Sequence, residues 1–199
     1  MLLPLAAAAT AADAGGDITV VAFGDSLTAG YGLAPEDTFP VRLEQALRAR
    51  GIGARVVNAG LSGDTTAGGL ARLDWSLAGK PALMIVQLGG NDALRGIEPA
   101  LTRANLDAII GRVRAAGVAV VLAGMRAPPN MGDRYASEFD AIFPDLAQAH
   151  GVTLYPFFLE GVAARPEYNQ EDGIHPNRRG VDIIVDRFAP VLAAAIRAR

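Results

Sequence analysis

Four short polar stretches hold the residue types from which acyl-transfer chemistry is built: GDSL (24–27), SGDT (62–65), GGND (89–92) and DGIHP (172–176). Hydrolysis through serine needs a nucleophile, a base to take its proton, a group to orient the base, and donors for the oxyanion. Ser26 sits in a tight turn bracketed by Gly24 and Gly30, where its hydroxyl and its backbone N–H can both face a cleft. His175 is one of only two histidines, and Asp172 lies three residues before it. A carboxylate at that spacing can fold back to accept from Nδ1–H, which leaves Nε2 free as the base. Gly63 lets a backbone N–H approach a ligand closely, and the Asn91 amide can point at a developing oxyanion. Each residue also has an ordinary reading: Ser26 as a helix N-cap, DGIHP as a surface turn, Gly63 and Asn91 as turn residues. Taken jointly they meet the requirements of acyl transfer, provided the fold brings them together.

That condition falls on the elements between them. Short Val/Ile/Leu-rich runs at 18–23, 55–59, 82–88, 118–124 and 152–157 do not alternate, the pattern of parallel strands buried on both faces. Amphipathic stretches at 39–51, 66–79, 100–117, 136–151 and 178–199 predict helices, with Gly51, Gly117 and Gly151 at C-cap positions. Strand and helix alternating five times predict a doubly wound α/β sandwich, which binds ligands beyond the carboxyl ends of its strands. The four polar blocks fall there, the first three just after a strand and the last just before the final helix. The chain divides into a leader at 1–16 and one domain at 17–199.

Composition narrows the chemistry. With no cysteine and only His150 and His175, neither a thiolate nucleophile nor a Cys- or His-rich metal site can be built, and no metal or cofactor is expected. Lys80 is the only lysine and precedes Pro81 in a turn, which removes Schiff-base and phosphate-loop chemistry. A net charge of -3 without any basic stripe makes nucleic acid a poor partner. The opening MLLPLAAAATAADAGGD has the apolar core and small-residue exit of a secretory signal, without a basic start, and points to a periplasmic or secreted protein. No later stretch has the ~20 apolar residues that span a bilayer. A monomer is the expected state. Asp25 and Asp92 read as loop-fixing acceptors, and His150 as a cation at a helix C-terminus.

GDSL, SGDT, GGND and DGIHP together resemble, in order and separation, the four sequence blocks of the SGNH, or GDSL, hydrolase family, from about residue 18 to the C-terminus. Within it, NAGLSGDTTAGGLARL, LGGNDALRG and FPDLAQAHGVTLYPFF most resemble the bacterial thioesterase, lysophospholipase and arylesterase group. The resemblance implies a three-layer α/β/α sandwich with a five-stranded parallel, flavodoxin-like sheet. It implies Ser26 as nucleophile, Asp172 and His175 as the rest of a triad, and an oxyanion hole from the Ser26 and Gly63 N–H groups and the Asn91 side chain. Gly60 reads as the residue ending its strand. The RAPPNMG segment within 125–135 is similar to the group's mobile substrate loop. Met125, Pro128, Pro129 and Met131, with Phe157 from 156–162, are the candidates to line an acyl groove, although one of Phe157 and Phe158 should be core. The expected substrate is a small-molecule ester or thioester with a hydrophobic acyl chain. The rivals are a carbohydrate O-acetylesterase of the same fold and a non-catalytic flavodoxin-like binding module.

Overall fold

The computed structural model describes residues 17–199, so the leader lies outside it. Five parallel strands form one sheet, β1 (Ile18–Gly24), β2 (Ala54–Gly60), β3 (Leu83–Gln87), β4 (Ala119–Ala123) and β5 (Thr153–Tyr155), in the order β2-β1-β3-β4-β5. The chain steps outward from β1 to β2, then crosses back to β3, so the order reverses at β1/β3. Right-handed crossovers in opposite directions put the connecting helices on opposite faces. These helices are α1 (Ser26–Ala29), α2 (Phe39–Ala49), α3 (Thr66–Leu77), α4 (Gly90–Leu94), α5 (Pro99–Ala115), α6 (Asp133–Asp140), α7 (Ile142–His150) and α8 (Arg178–Arg197). Helix α2 packs with α8, and α3 with α5 and α5 with α7, which makes the two outer layers of an α/β/α sandwich.

The central apolar runs are strands because both their faces are covered, with every residue of β3 buried, whereas the edge strand β2 leaves Arg55 and Asn58 exposed. Under α2 and α8, Phe39, Phe158 and Phe188 meet edge to face, with Phe39 centroids 4.9 Å from Phe158 and 5.4 Å from Phe188. Phe139 and Phe143 pack similarly on α6 and α7, 5.7 Å apart. Gly51, Gly117 and Gly151 take the left-handed conformation at the ends of α2, α5 and α7, as their C-cap reading requires.

Two details depart from the sequence expectation. The stretch 136–151 is two helices, broken at Ala141. Pro144 explains the break, since its ring excludes the carbonyl of Asp140, four residues back, from a continuous helix. Strand β5 stops at Tyr155 because Pro156 follows it. Helix α8 begins at Arg178 as expected, from an Asn177 N-cap whose side chain accepts from Gly180 N–H at 3.1 Å.

Candidate active site

The loops after β1, β2 and β3 meet at the carboxyl edge of the sheet, around the β1/β3 reversal, and the segment before α8 closes over them. Asp25, 1% exposed, caps α1 by accepting Leu27 N–H at 3.0 Å. Capping therefore does not engage Ser26. Its hydroxyl instead lies 2.9 Å from His175 Nε2.

His175 is held from its own turn. Asp172 Oδ2 lies 2.6 Å from His175 Nδ1, and Oδ1 accepts the backbone N–H groups of Ile174 at 2.9 Å and His175 at 3.0 Å. The backbone and ring hydrogen bonds from His175, then the Ile174 N–H, pull the Asp172 carboxyl down to about 2. An ionised Asp172 keeps the ring proton on Nδ1, so Nε2 accepts from the Ser26 hydroxyl. Gly173 has φ +71 within this turn, a conformation that L side chains resist.

The Asn91 and Gly63 side is fixed as firmly. Asn91 Nδ2 donates one hydrogen to Asp64 O at 2.9 Å, which orients the amide and leaves its second hydrogen free. Gly63 has φ +81, and its carbonyl accepts from Arg95 Nη2 at 2.8 Å. Among the described residues, the Gly63 and Ser26 N–H groups donate to no acceptor. Gly60 ends β2 as expected, and a Cβ there would strike the backbone of Ala29, so its smallness seats α1 against β2.

Beneath these loops lie two buried networks. Asp92 accepts Thr66 N–H at 2.9 Å, Thr66 Oγ–H at 2.5 Å and Thr102 Oγ–H at 3.2 Å, tying α4 to α3 and α5. Arg72 pairs with Asp64 at 2.6 Å and donates to Ala59 O and Gly24 O, both at 2.9 Å, across the ends of β2 and β1. The guanidinium lies 4.2 Å over the Phe23 ring. Burial raises the Asp25 carboxyl to about 6, against the lowering hydrogen bonds from Leu27 and Gln87 and the influence of His175. Asp25 and Asp92 thus fix loops, as read from the sequence.

The residues proposed to line an acyl groove separate. Met125 is 6% exposed, with its Cε packed under Gly90, so it supports the donor loop from below rather than forming an open wall. Met131 reaches the Gly96 turn at the end of α4, and Tyr135 Oη donates to Ile97 O at 2.8 Å, so the segment that carries Pro128 and Pro129 lies alongside α4. Phe158 is the core member of its pair, while Phe157 is half-buried with Arg126 stacked 4.8 Å over its ring. His150 does end a helix, and it also contacts Asp107 on α5 at 2.6 Å.

Gln170 and Tyr31 have no role in the sequence reading. Gln170 Nε2 donates to Tyr31 O at 2.7 Å and to Pro176 O at 3.1 Å, lashing the His175 turn to the loop after α1. A glutamine two residues before an Asp-x-x-His turn carries no recognisable signal by type or spacing. Among the described residues, no three His, Asp or Glu side chains gather to hold a metal.

The model of the GDSL-like lipase/acylhydrolase family matches residues 22–183. Esterase TesA of Pseudomonas aeruginosa is 42% identical over 175 residues, 87% of each chain. Thioesterase 1/protease 1/lysophospholipase L1 of Escherichia coli K12 is 42% identical over 175 residues, 87% of this chain and 83% of that one. The crystal structure of the psychrotrophic esterase EstA from Pseudoalteromonas sp., inhibited by monoethylphosphonate, superposes with TM-score 0.86 at 31% identity, covering 91% of this chain and all of that one.

Proposed function

Since the chain belongs to the GDSL-like lipase/acylhydrolase family and is a serine hydrolase of ester bonds, we propose that Ser26, His175 and Asp172 carry its chemistry. The carrying observation is the unbroken relay of contacts, Ser26 Oγ to His175 Nε2 at 2.9 Å and His175 Nδ1 to Asp172 at 2.6 Å. His175 takes the Ser26 proton as Oγ attacks the acyl carbonyl. The Ser26 and Gly63 N–H groups and the free Asn91 amide hydrogen meet the oxyanion. Collapse expels the alcohol or thiol, which takes the proton from Nε2. Water, activated by the same imidazole, then releases the acid and restores Ser26.

The substrates are esters and thioesters of hydrophobic acyl chains, of arylesterase, acyl-thioesterase and lysophospholipase type. The acyl chain runs from Ser26 past Asn91 towards Met131, Pro128 and Pro129. This route is supported by the packing of Met131 on the Gly96 turn and by the bare Leu94 side chain beside it. The apolar leader is an export signal, which puts the mature enzyme in the periplasm or outside the cell. None of the helices among the described residues is long and apolar enough to cross a membrane.

Labelling tests the assignment. An organophosphonate should attach one equivalent to the wild-type chain, at Ser26, and none to Ser26→Ala, which should also lose hydrolysis of p-nitrophenyl esters. Retained labelling at another residue would overturn it.

A further inference from the structure

Large apolar side chains left bare on this surface are few, and four of them ring the site. Leu61, in the loop after β2, and Leu94, at the end of α4, stand on the segments that carry Gly63 and Asn91, whereas Tyr31 and Ile174 stand on the side of His175. Chemistry makes the two sides different. In the proposed mechanism the departing oxygen must receive its proton from His175 Nε2, so the alcohol half of the ester lies on the His175 side and the acyl half lies beyond the donors.

Tyr31 is 54% exposed, yet it is not loose. Its N–H donates to Ser26 O at 3.1 Å and its carbonyl accepts from Gln170 at 2.7 Å, so both peptide groups are anchored to the catalytic loops. Its ring centroid lies 4.6 Å from that of His175, the planes inclined by 38°. Ile174, the residue before His175, is also bare, 46% exposed. An anchored backbone with a bare aromatic face beside the proton donor is a preorganised platform for a flat apolar group.

We infer that Tyr31 is a specificity-determining residue that stacks on the leaving group and favours esters of aromatic alcohols. The inference rests on the proposed roles of Ser26 and His175. As Ser26 Oγ bonds to the acyl carbon its proton passes to Nε2. When the carbon–oxygen bond to the aryl group breaks, that proton goes to the aryl oxygen and a neutral phenol leaves across the Tyr31 ring. The acyl half does not touch Tyr31, so acyl-chain preference is independent of it.

The test compares kcat/KM for phenyl and ethyl esters of the same acid in wild type, Tyr31→Ala and Tyr31→Phe, with thermal melts to verify folding of these surface variants. A stacking contact is worth a several-fold effect, so Tyr31→Ala should lower kcat/KM for the phenyl ester by about 3- to 10-fold. The ethyl ester should change by less than about twofold, and Tyr31→Phe should keep the phenyl preference. Equal losses on both esters, with a shifted pH profile, would mean that Tyr31 only positions His175 and would overturn the inference. No change on either ester would overturn it too. Phenyl-ester hydrolysis surviving in Ser26→Ala would overturn the catalytic assignment and this inference together, a result distinct from either Tyr31 outcome.

Discussion

Replacing Asp25 with Asn should stabilise the fold at neutral pH while leaving its geometry in place. The carboxyl is buried beside the nucleophile, and desolvation lifts it from 3.8 to about 6, partly offset by the Leu27 and Gln87 hydrogen bonds and by His175, with Asp64 adding to the rise. A group whose folded value exceeds its unfolded one favours folding in its protonated form. That contribution is fully present below 3.8 and is lost as pH rises through about 6. At about 1.4 kcal/mol per unit, the ionised carboxylate costs the fold up to about 3 kcal/mol above pH 7. Asn removes the charge, keeps the size, and offers its own Oδ1 to Leu27 N–H as an equally good cap. Urea unfolding of the two proteins at pH 4, 6 and 8 measures the difference. Asp25→Asn should be more stable by about 1–3 kcal/mol at pH 8, with the gap closing towards pH 4. Turnover should fall, because the lost charge faces the imidazolium that forms on His175. A variant less stable than wild type at pH 8, or a gap that ignores pH, would refute the reasoning. Asp172 works in the opposite sense: with its carboxyl at about 2, its stabilising contribution is present above 3.8 and fades only in strong acid, so it leaves the pH 6 to 8 comparison untouched.

Asn91→Ala should lower kcat by about 10²- to 10³-fold while circular dichroism and melting stay near wild type, because in the proposed mechanism the amide supplies one oxyanion donor and in the fold it makes a single bond to Asp64 O. Expression of the full chain with its leader in a bacterial host should yield periplasmic enzyme whose N-terminus, by sequencing, falls between residues 9 and 17; an intact, cytoplasmic chain would refute the export reading.

The sheet was legible because its central strands are covered on both faces: Leu83 to Gln87 could only be a central strand once the neighbouring helices supplied two layers. The four polar blocks were legible because catalysis demands particular groups at particular strand ends, and few other reasons gather Ser, Gly, Asn and an Asp-x-x-His turn there. What stayed hidden depends on three-dimensional neighbours. Met125 reads as a groove residue by hydrophobicity, and only its place under Gly90 shows it to be packing. Gln170 acts through Tyr31 O, 139 residues away in sequence, a partner that no local pattern announces. The helix break at Ala141 was in principle readable from Pro144, but the amphipathic pattern runs across it and masks the lost hydrogen bond.

The hydrogen bond between Ser26 and His175 joins residues 149 apart in sequence, and it has a consequence for the timing of activity. Asp172 and His175 form a pair inside one turn, and that turn leads directly into α8, which packs on α2. During synthesis from the N-terminus, and during any passage of the chain across a membrane, Ser26 emerges long before His175. In the proposed mechanism a nascent chain therefore carries an inert serine until the 172–175 turn has joined it. Recovery of activity in a refolding experiment then times the docking of that turn on the loop after β1.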